Sequence, residues 1–416
     1  MSDTAYAIDA DAFTPPAADL PSQTDVLVIG AGFTGLSAAL HLAEAGRTVT
    51  VVDKGAIADG ASGRNGGQLH PGQRRDQEWL TARLGVETAD RLWDLANEAI
   101  DLVHDLRARL DAPCAFRPGL IEAAHTSAAF ADLEEHAAKL HARYGIASNV
   151  LDRDALAEAI GSARYAGGIR DGRGGHLNPL AFARALARGA ANAGATLLPH
   201  AEAQRIDGRG PCTVSFRAGT VRADTVLIAG NGMMSGLDPR LDASILPLVN
   251  HIAATQPLER PLIPGGEAVA DTRNVIRYWR EDAAGRVVFG GGETFLRNPR
   301  DVAAFVRPYL VEVYPQLATT PIEIAWSGTL GITQTRCPLV RRLDPGLYAA
   351  AGFSGQGVGL GTFAGKVIAE AVRGDSERLD VFAKMPVPPL PGGRYFKRPL
   401  GLLAMTWFAL RDRLAL

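Results

Sequence analysis

Apolar and polar positions in the first part of the chain follow the order of a strand, a helix and a second strand. Residues 25–29 form a short apolar run, as in a buried parallel strand. Apolar residues then recur at three- and four-residue steps from Leu36 to Ala43, and Gly46 follows as a helix stop. Residues 47–52 return to an apolar, strand-like run. This order predicts a βαβ unit and therefore an α/β fold.

Later stretches alternate between helical and strand-like patterns. A long amphipathic helix is predicted from Val86 to Leu110, and another from Phe130 to Arg143. Asn178 and Pro179 have the residue types of a helix N-terminus, and Gly194 that of a helix end. Strand-like runs are also predicted at 212–216, 220–222, 274–280 and 285–290, and at 223–232, where the strand ends in a glycine-rich turn. Residues 347–374 are predicted to form a buried strand, a glycine-rich turn and a helix.

Three glycines between the first strand and the first helix have the spacing of a dinucleotide-binding turn. Gly30 suits a tight strand-to-helix turn, Gly32 lets the backbone approach a pyrophosphate, and Gly35 lets the helix pack closely on the strand. Asp53 ends the second strand, where a carboxylate can accept hydrogen bonds from ribose hydroxyls and would repel a 2′-phosphate. The pattern therefore favours FAD or NAD over NADP.

Two further glycine-rich stretches indicate close approach of the backbone to a ligand. Residues 60–72, GASGRNGGQLHPG, interleave glycines with polar side chains and show neither helical nor strand periodicity. Residues 352–361 form a second glycine-rich turn before a helix. Backbone N–H groups at such a helix start favour negative charge, such as that carried by a reduced flavin.

Composition and charge limit the classes of partner. The chain has 416 residues and a formal net charge of −2, so it lacks the basic surface expected of a nucleic-acid-binding protein. Its three cysteines have no metal-ligand spacing, and no metal site is predicted. Residues 1–23 are acidic and proline-rich rather than signal-like, so a cytoplasmic protein is expected. The apolar stretch 400–410 is too short to span a bilayer.

The changes of pattern predict a discontinuous domain organisation. The long helices after residue 84 leave the dinucleotide-binding unit, and the strand near 223–232 returns to it. A second domain, built on a mixed or antiparallel sheet, is expected to cover the cofactor. The predicted division is 22–84, 146–236 and 325–380 for the cofactor-binding domain, 85–145 and 237–324 for the substrate domain, and 381–416 for a C-terminal tail helix.

The chain resembles the D-amino-acid-oxidase-like FAD-dependent oxidoreductases, and within them the gamma-glutamylputrescine oxidase group. The resemblance runs nearly end to end and is carried by VIGAGFTGLSAAL, GASGRNGGQ, GGHLNPL, RVVFGGG and AGFSGQGVGLGTFAGKVIAEA. It implies a Rossmann-like FAD-binding domain and FAD rather than NAD. It also implies non-covalent FAD, because Arg64-Asn65-Gly66 stands where some relatives carry the His that attaches the flavin.

The resemblance implies a reaction as well. Hydride transfer from the C–H bond beside an amine nitrogen gives an imine, which water hydrolyses to an aldehyde, and dioxygen is reduced to hydrogen peroxide. The implied substrate is a gamma-glutamylputrescine-like or other secondary amine, or an amino acid. Arg64 and Gln356 are the predicted catalytic residues, and Tyr278 and Trp326 are predicted to contact the substrate. Arg280 and Arg336 could bind a substrate carboxylate, with a surface role equally open.

The predicted FAD contacts lie in the glycine-rich turns and after the ends of the parallel strands. They are Gly30, Gly32, Phe33, Thr34, Gly35, Asp53, Lys54, Ser62, Arg64, Asn65, Gly66, Gly67, Gln68, Ala203, Gly230, Gly352, Gly355, Gln356, Gly357, Val358 and Gly359. Gln356 departs from the family pattern, which has His there. Because an amide does not titrate near pH 7, a proton-carrying role is lost at this position.

Three alternatives stay open from the sequence. A dehydrogenase of the same fold would pass electrons to a quinone or a carrier protein, with the tail from Pro399 docking at a membrane. A non-catalytic FAD-binding sensor module would keep the flavin for stability. A plain NAD dehydrogenase ranks last, because that fold does not need the second glycine-rich turn.

Overall fold

The computed structural model describes residues 4–295 and 298–393. The strands are β1 Gln23–Ile29, β2 Val49–Val52, β3 Gln68–Leu69, β4 Arg117–Ala124, β5 Asn149–Leu151, β6 Gly167–His176, β7 Thr196–Leu198, β8 Ala203–Gly208, β9 Cys212–Phe216, β10 Gly219–Ile228, β11 Leu246–Thr255, β12 Ala268–Asp271, β13 Tyr278–Glu281, β14 Val287–Thr294, β15 Ile322–Ile332, β16 Leu339–Asp344 and β17 Leu347–Ala351.

The helices include both those predicted from periodicity and several short ones. They are α1 Tyr6–Asp9, α2 Phe33–Glu44, α3 Ala61–Arg64, α4 Gln77–Leu84, α5 Val86–Arg109, α6 Ser127–Tyr144, α7 Arg153–Ile160, α8 Pro179–Asn192, α9 Pro239–Ser244, α10 Val302–Val313, α11 Thr362–Val372 and α12 Glu377–Ala383. No helix within the described ranges has the length and apolar character needed to cross a bilayer. The predicted helix over 400–410 lies outside the described residues.

The first sheet brings the ends of its parallel strands to one edge. Its order is β16-β17-β10-β1-β2-β7, with β9 paired to β10 and β8 paired to β9. In β1, Ile29 lies opposite Ile228 of β10 and Val52 of β2, and all three strands are parallel. The residues that follow these strands therefore meet at the carboxyl edge, where open α/β sheets bind ligands.

Two helices begin at this edge and cross at very short distance. α2 starts directly after the first glycine-rich turn, and α11 starts after the second. A Cβ atom at Gly365 of α11 would meet the backbone of Thr34 and Ala38 in α2, so a glycine is needed for this approach. Both helices bury an apolar face in one hydrophobic core with α5 and α8.

The second sheet is mixed and lies over the carboxyl edge of the first. Its order is β15-β11-β14-β13-β12-β4-β6-β3, with β5 paired to β6. β12 and β4 are parallel, whereas the other paired strands are antiparallel. Helices α7 and α10 pack on its far face through a separate apolar core. The predicted fold class, a Rossmann-like sheet with a second domain on a mixed sheet, is confirmed.

Three strand predictions are wrong in their bounds. Residues 220–222 and 223–228 form one strand, β10, whose first half pairs with β9 and whose second half joins the parallel sheet. The run 285–290 falls in β14, which begins at Val287 and continues to Thr294. Residues 274–277 form a loop instead of the start of a strand, and β13 begins at Tyr278. The cause is Asp271, whose Oδ1 accepts the backbone N–H groups of Arg273 (3.2 Å) and Arg277 (3.0 Å) and folds the segment back.

The sequence did not predict β6, and this strand bears on the domain division. Its sequence GGIRDGRGGH has no alternation of apolar and polar residues, because its glycines lie against neighbouring strands. A Cβ at Gly168 would lie 2.6 Å from the carbonyl oxygen of Glu122 in β4. β3, β5, β6 and β15 all belong to the second sheet, although the predicted division places β3, β5, β6 and residues 325–332 of β15 with the first. The division itself stays a prediction.

Candidate active site

A cavity of about 1030 Å³ separates the carboxyl edge of the first sheet from the inner face of the second. One half is lined by the turns after β1, β2, β10 and β17 and by the loop that contains α3. The other half is lined by β4, β6, β12 and β13 and by residues 70–78. A volume at the upper end of the usual range for small-molecule sites gives room for a dinucleotide and a second molecule.

The first glycine-rich turn leaves no room for side chains. Gly30 has φ +114°, and a Cβ there would lie 2.8 Å from the backbone of Ala229. A Cβ at Gly35 would meet the carbonyl oxygen of Gly30. A Cβ at Gly32 would lie 2.7 Å from Oγ of Ser62, which accepts the N–H of Phe33 at 2.9 Å. The turn is thus a cradle of backbone atoms at the start of α2, as a pyrophosphate requires.

Asp53 joins the two turns at the ends of β1 and β2. Its Oδ2 accepts the N–H of Ala31 at 2.7 Å, and its Oδ1 accepts the N–H of Gly55 at 2.8 Å. Each carboxylate oxygen can accept a further hydrogen bond, because it has two lone pairs. Asp53 lines the cavity, so its remaining lone pairs suit ribose hydroxyls.

Polar side chains in the loop that contains α3 hold that loop together. Arg64 donates through Nε to the carbonyl oxygen of Asp59 at 2.7 Å and forms an ion pair with its carboxylate at 2.8 Å. Asn65 donates through Nδ2 to the carbonyl oxygen of Ala61 (2.9 Å) and accepts the N–H of Gly67 (2.8 Å). Arg64 and Asn65 line the cavity, and the catalytic role of Arg64 stays a prediction.

The two aromatic residues predicted to contact substrate differ in position. Tyr278 lines the cavity, and its hydroxyl donates to Oδ1 of Asn250 at 2.5 Å. Burial raises the pKa of Tyr278 well above its usual value, so the phenol is protonated at neutral pH. Trp326 is 3% exposed, lies outside the lining, and donates through Nε1 to the carbonyl oxygen of Arg64 at 3.0 Å. Its position gives no support to substrate contact.

The second glycine-rich turn carries an unpartnered acceptor. Gly352 has φ +73°, and its N–H donates to Oδ1 of Asn231 at 2.9 Å, which ties this turn to the end of β10. Gln356 lines the cavity, and its buried Oε1 has no hydrogen-bond partner among the described residues. A buried acceptor is costly unless a donor reaches it. The cradle, Asp53 and this orphaned oxygen together fit a bound flavin dinucleotide.

Buried histidines near the cavity are neutral at neutral pH. Burial lowers the pKa of His70 to about 4, and this ring is hydrogen-bonded to Oε1 of Gln68 at 2.9 Å. Burial also lowers the pKa of His176 to about 3. Gln68 in turn donates to the carbonyl oxygen of Val269 at 2.9 Å, which holds β3 to the second sheet. These groups therefore position the backbone rather than carry protons.

Most of the predicted contacts meet at this cavity, and the sequence did not predict most of its charged lining residues. The predicted site residues all line it except Gly35, Gly67, Gly352, Gly359, Arg280 and Trp326. Arg74 and Glu122 also line it and were not predicted. Glu122 left one signal, a single charge inside the apolar run of β4, whereas nothing in the sequence marks Arg74.

We expect Gln356→His to keep FAD and to add an ionisation to the pH profile of kcat/KM. The amide oxygen of Gln356 accepts a hydrogen bond at any pH, whereas imidazole accepts one only when neutral. Activity should therefore fall roughly tenfold per pH unit below the imidazole pKa, which is ordinarily about 6.5. Steady-state rates across pH 5 to 8 test this, with Gln356→Asn as the non-titrating control. Identical profiles for all three proteins would place Gln356 outside the reacting centre.

Comparison with known proteins adds to this geometry. Residues 25–371 match the family described as DAO, FAD dependent oxidoreductase. A probable oxidoreductase OrdL from Rhizobium meliloti (strain 1021) is 40% identical over 94% of this chain and 92% of that protein. A gamma-glutamylputrescine oxidoreductase from Escherichia coli (strain K12) is 36% identical over 98% of each chain. The crystal structure of glycine oxidase from Geobacillus kaustophilus has the same fold, with a TM-score of 0.72 at 23% identity over 85% of this chain and 95% of that one.

Proposed function

The chain belongs to the DAO family of FAD-dependent oxidoreductases, and on this premise we propose that it oxidises the C–N bond of a gamma-glutamylputrescine-like amine and reduces dioxygen to hydrogen peroxide. FAD as the cofactor is confirmed by the family. The observation that supports an amine oxidase is the second half of the cavity, which extends beyond the dinucleotide cradle and is closed by the mixed sheet. The end-to-end match to a gamma-glutamylputrescine oxidoreductase supports the substrate class.

The protein supplies orientation and electrostatics for this chemistry. FAD held at this site would supply an acceptor for the hydride that leaves the carbon next to the amine nitrogen. The cradle at Gly30 and Gly32 would admit the pyrophosphate, and the carboxylate of Asp53 would accept hydrogen bonds from the ribose hydroxyls. Oε1 of Gln356 can accept a hydrogen bond from the flavin or from the substrate amine, since both carry N–H groups. Asn250 holds the hydroxyl of Tyr278, which fixes one wall of the substrate half.

Anaerobic mixing with candidate amines tests the reaction. We expect a gamma-glutamyl amine to bleach the visible absorbance of the oxidised flavin, while N-alkyl amino acids and free polyamines serve as comparison substrates. Admission of air should restore the absorbance and release hydrogen peroxide in amounts equal to the aldehyde formed. Bleaching without reoxidation by air would point to a dehydrogenase that uses a quinone or carrier protein. No bleaching by any amine would contradict the proposal and favour a non-catalytic flavoprotein.

A further inference from the structure

We propose that Glu122 and Arg74 are specificity-determining residues of this cavity, and that its substrate carries both a cationic nitrogen and a carboxylate. The proposal rests on the function proposed above and adds what the substrate half of the cavity selects. Glu122 would bind the cation and Arg74 the carboxylate. Each side chain reaches the cavity from a different part of the fold, one from β4 and the other from the segment between β3 and α4.

Glu122 stands on an apolar part of the cavity floor. On β4 it lies between Ala270 of β12 and Ile169 of β6, and both of these residues also line the cavity. Tyr278 follows Ala270 in the same row, so two strand spacings, about 10 Å, separate it from Glu122. Desolvation raises the pKa of Glu122. Its side chain is exposed to the cavity, so its carboxylate is accessible to a bound ligand.

The Glu122 carboxylate lacks a partner among the described cations. In the part of the chain that the structure describes, it has no ion pair within 4.0 Å and no side-chain hydrogen bond. Two other acids near this region differ, because Asp171 is paired with Arg173 and Asp271 with Arg273. Glu122 is therefore suited to a positively charged ligand.

Arg74 is fixed at one edge of its guanidinium group. Its Nε donates to the carbonyl oxygen of Ser354, in the second glycine-rich turn, at 3.1 Å. Burial, followed by repulsion from Arg336, lowers the pKa of Arg74 to about 10, so it remains protonated at neutral pH. The described residues give it no carboxylate partner within 4.0 Å. Its terminal N–H groups can therefore meet a carboxylate, for which the planar fork of arginine is well shaped.

The charges of Glu122 and Arg74 influence each other although the two side chains do not form an ion pair. Arg74 lowers the pKa of Glu122, and Glu122 opposes the lowering of the Arg74 pKa, so they share one electrostatic environment. Even so, their charged atoms are further apart than an ion pair allows. A ligand with one charge would leave the other group unpaired, whereas a ligand with both charges would satisfy the two together.

Binding to the oxidised holoenzyme without turnover tests the proposal. The three probes have the same number of carbon atoms and differ in charge. 5-Aminopentanoate carries one cation and one carboxylate, 1,5-diaminopentane carries two cations, and glutarate carries two carboxylates. Affinity is measured under anaerobic conditions by calorimetry and by the shift of the flavin absorbance. The wild-type protein should bind 5-aminopentanoate most tightly. Glu78→Gln is the control, because this carboxylate at the cavity is already near His136 at 3.7 Å.

The variants should divide the probes by charge. Glu122→Gln should weaken the binding of 5-aminopentanoate and 1,5-diaminopentane roughly tenfold or more and leave the binding of glutarate unchanged. Arg74→Gln should weaken the binding of 5-aminopentanoate and glutarate to a similar extent and leave the binding of 1,5-diaminopentane unchanged. Equal losses for all three probes, or no loss in either variant, would overturn the assignment. Flavin content per chain shows whether each variant still holds FAD. Because no oxidation is measured, the charge pattern can succeed or fail independently of the proposed reaction.

Discussion

Replacing Gly32 by valine is expected to weaken FAD binding, so that the protein loses FAD during purification and dialysis. A Cβ at this position would lie 2.7 Å from Oγ of Ser62, and Ser62 holds the N–H of Phe33 at the start of α2. The added side chain would therefore push apart the first turn and the loop that contains α3, and it would fill the path of the pyrophosphate. Overpacking of this kind costs about 1–3 kcal/mol, which corresponds to a loss of FAD affinity of roughly ten- to hundredfold.

The ratio of flavin absorbance to protein absorbance after purification and dialysis measures this loss. Gly172→Val is the matched control, because Gly172 is an exposed glycine of β6 where an added Cβ would have no atom within 4 Å and where φ is not positive. Circular dichroism should show that both variants fold. A Gly32→Val protein that keeps as much FAD as the control would remove this turn from the cofactor site.

The cofactor half of the site was predictable because its signals are local. In parallel strands, residues that follow the strand ends meet at one edge, so Gly30, Asp53, Gly230 and Gly352 could be brought together from sequence alone. Glycine spacing and strand patterns both lie within short windows of the chain. The start of α8 also followed from capping, as Asn178 shows by accepting the N–H groups of Leu180 and Ala181, both at 3.1 Å.

The substrate half depends on contacts between distant segments, which the sequence does not display. Trp326 is an aromatic residue of the type that often lines pockets, yet its indole N–H donates to the carbonyl oxygen of Arg64. Arg64 was predicted from its motif, but Asp59 holds its guanidinium. Arg74 becomes a candidate only because the second glycine-rich turn lies beside it. Such roles are set by tertiary packing rather than by local pattern.

We expect Asp53→Asn to weaken FAD binding almost as much as Asp53→Ala. Both carboxylate oxygens of Asp53 already accept backbone N–H groups, from Ala31 at 2.7 Å and from Gly55 at 2.8 Å. An asparagine has one acceptor oxygen and one NH₂ donor, so its amide nitrogen would face a backbone donor at one of the two turns. A hydrogen bond to a charged group contributes about 1.5–3 kcal/mol, and its loss corresponds to roughly ten- to hundredfold weaker FAD binding.

Asp25→Asn separates this effect from a general weakening of the strand pair. Asp25 lies at the opposite end of β1, where its Oδ2 accepts the N–H of Thr48 at 2.9 Å, away from the cavity. The Asp25→Asn variant loses the same charge as Asp53→Asn, but Asp25 accepts only one backbone N–H group. Its FAD content should therefore stay at the wild-type level, while Asp53→Asn releases FAD on dialysis. Equal FAD retention in the two variants would mean that a carboxylate after β2 is not needed to hold the turns for the cofactor.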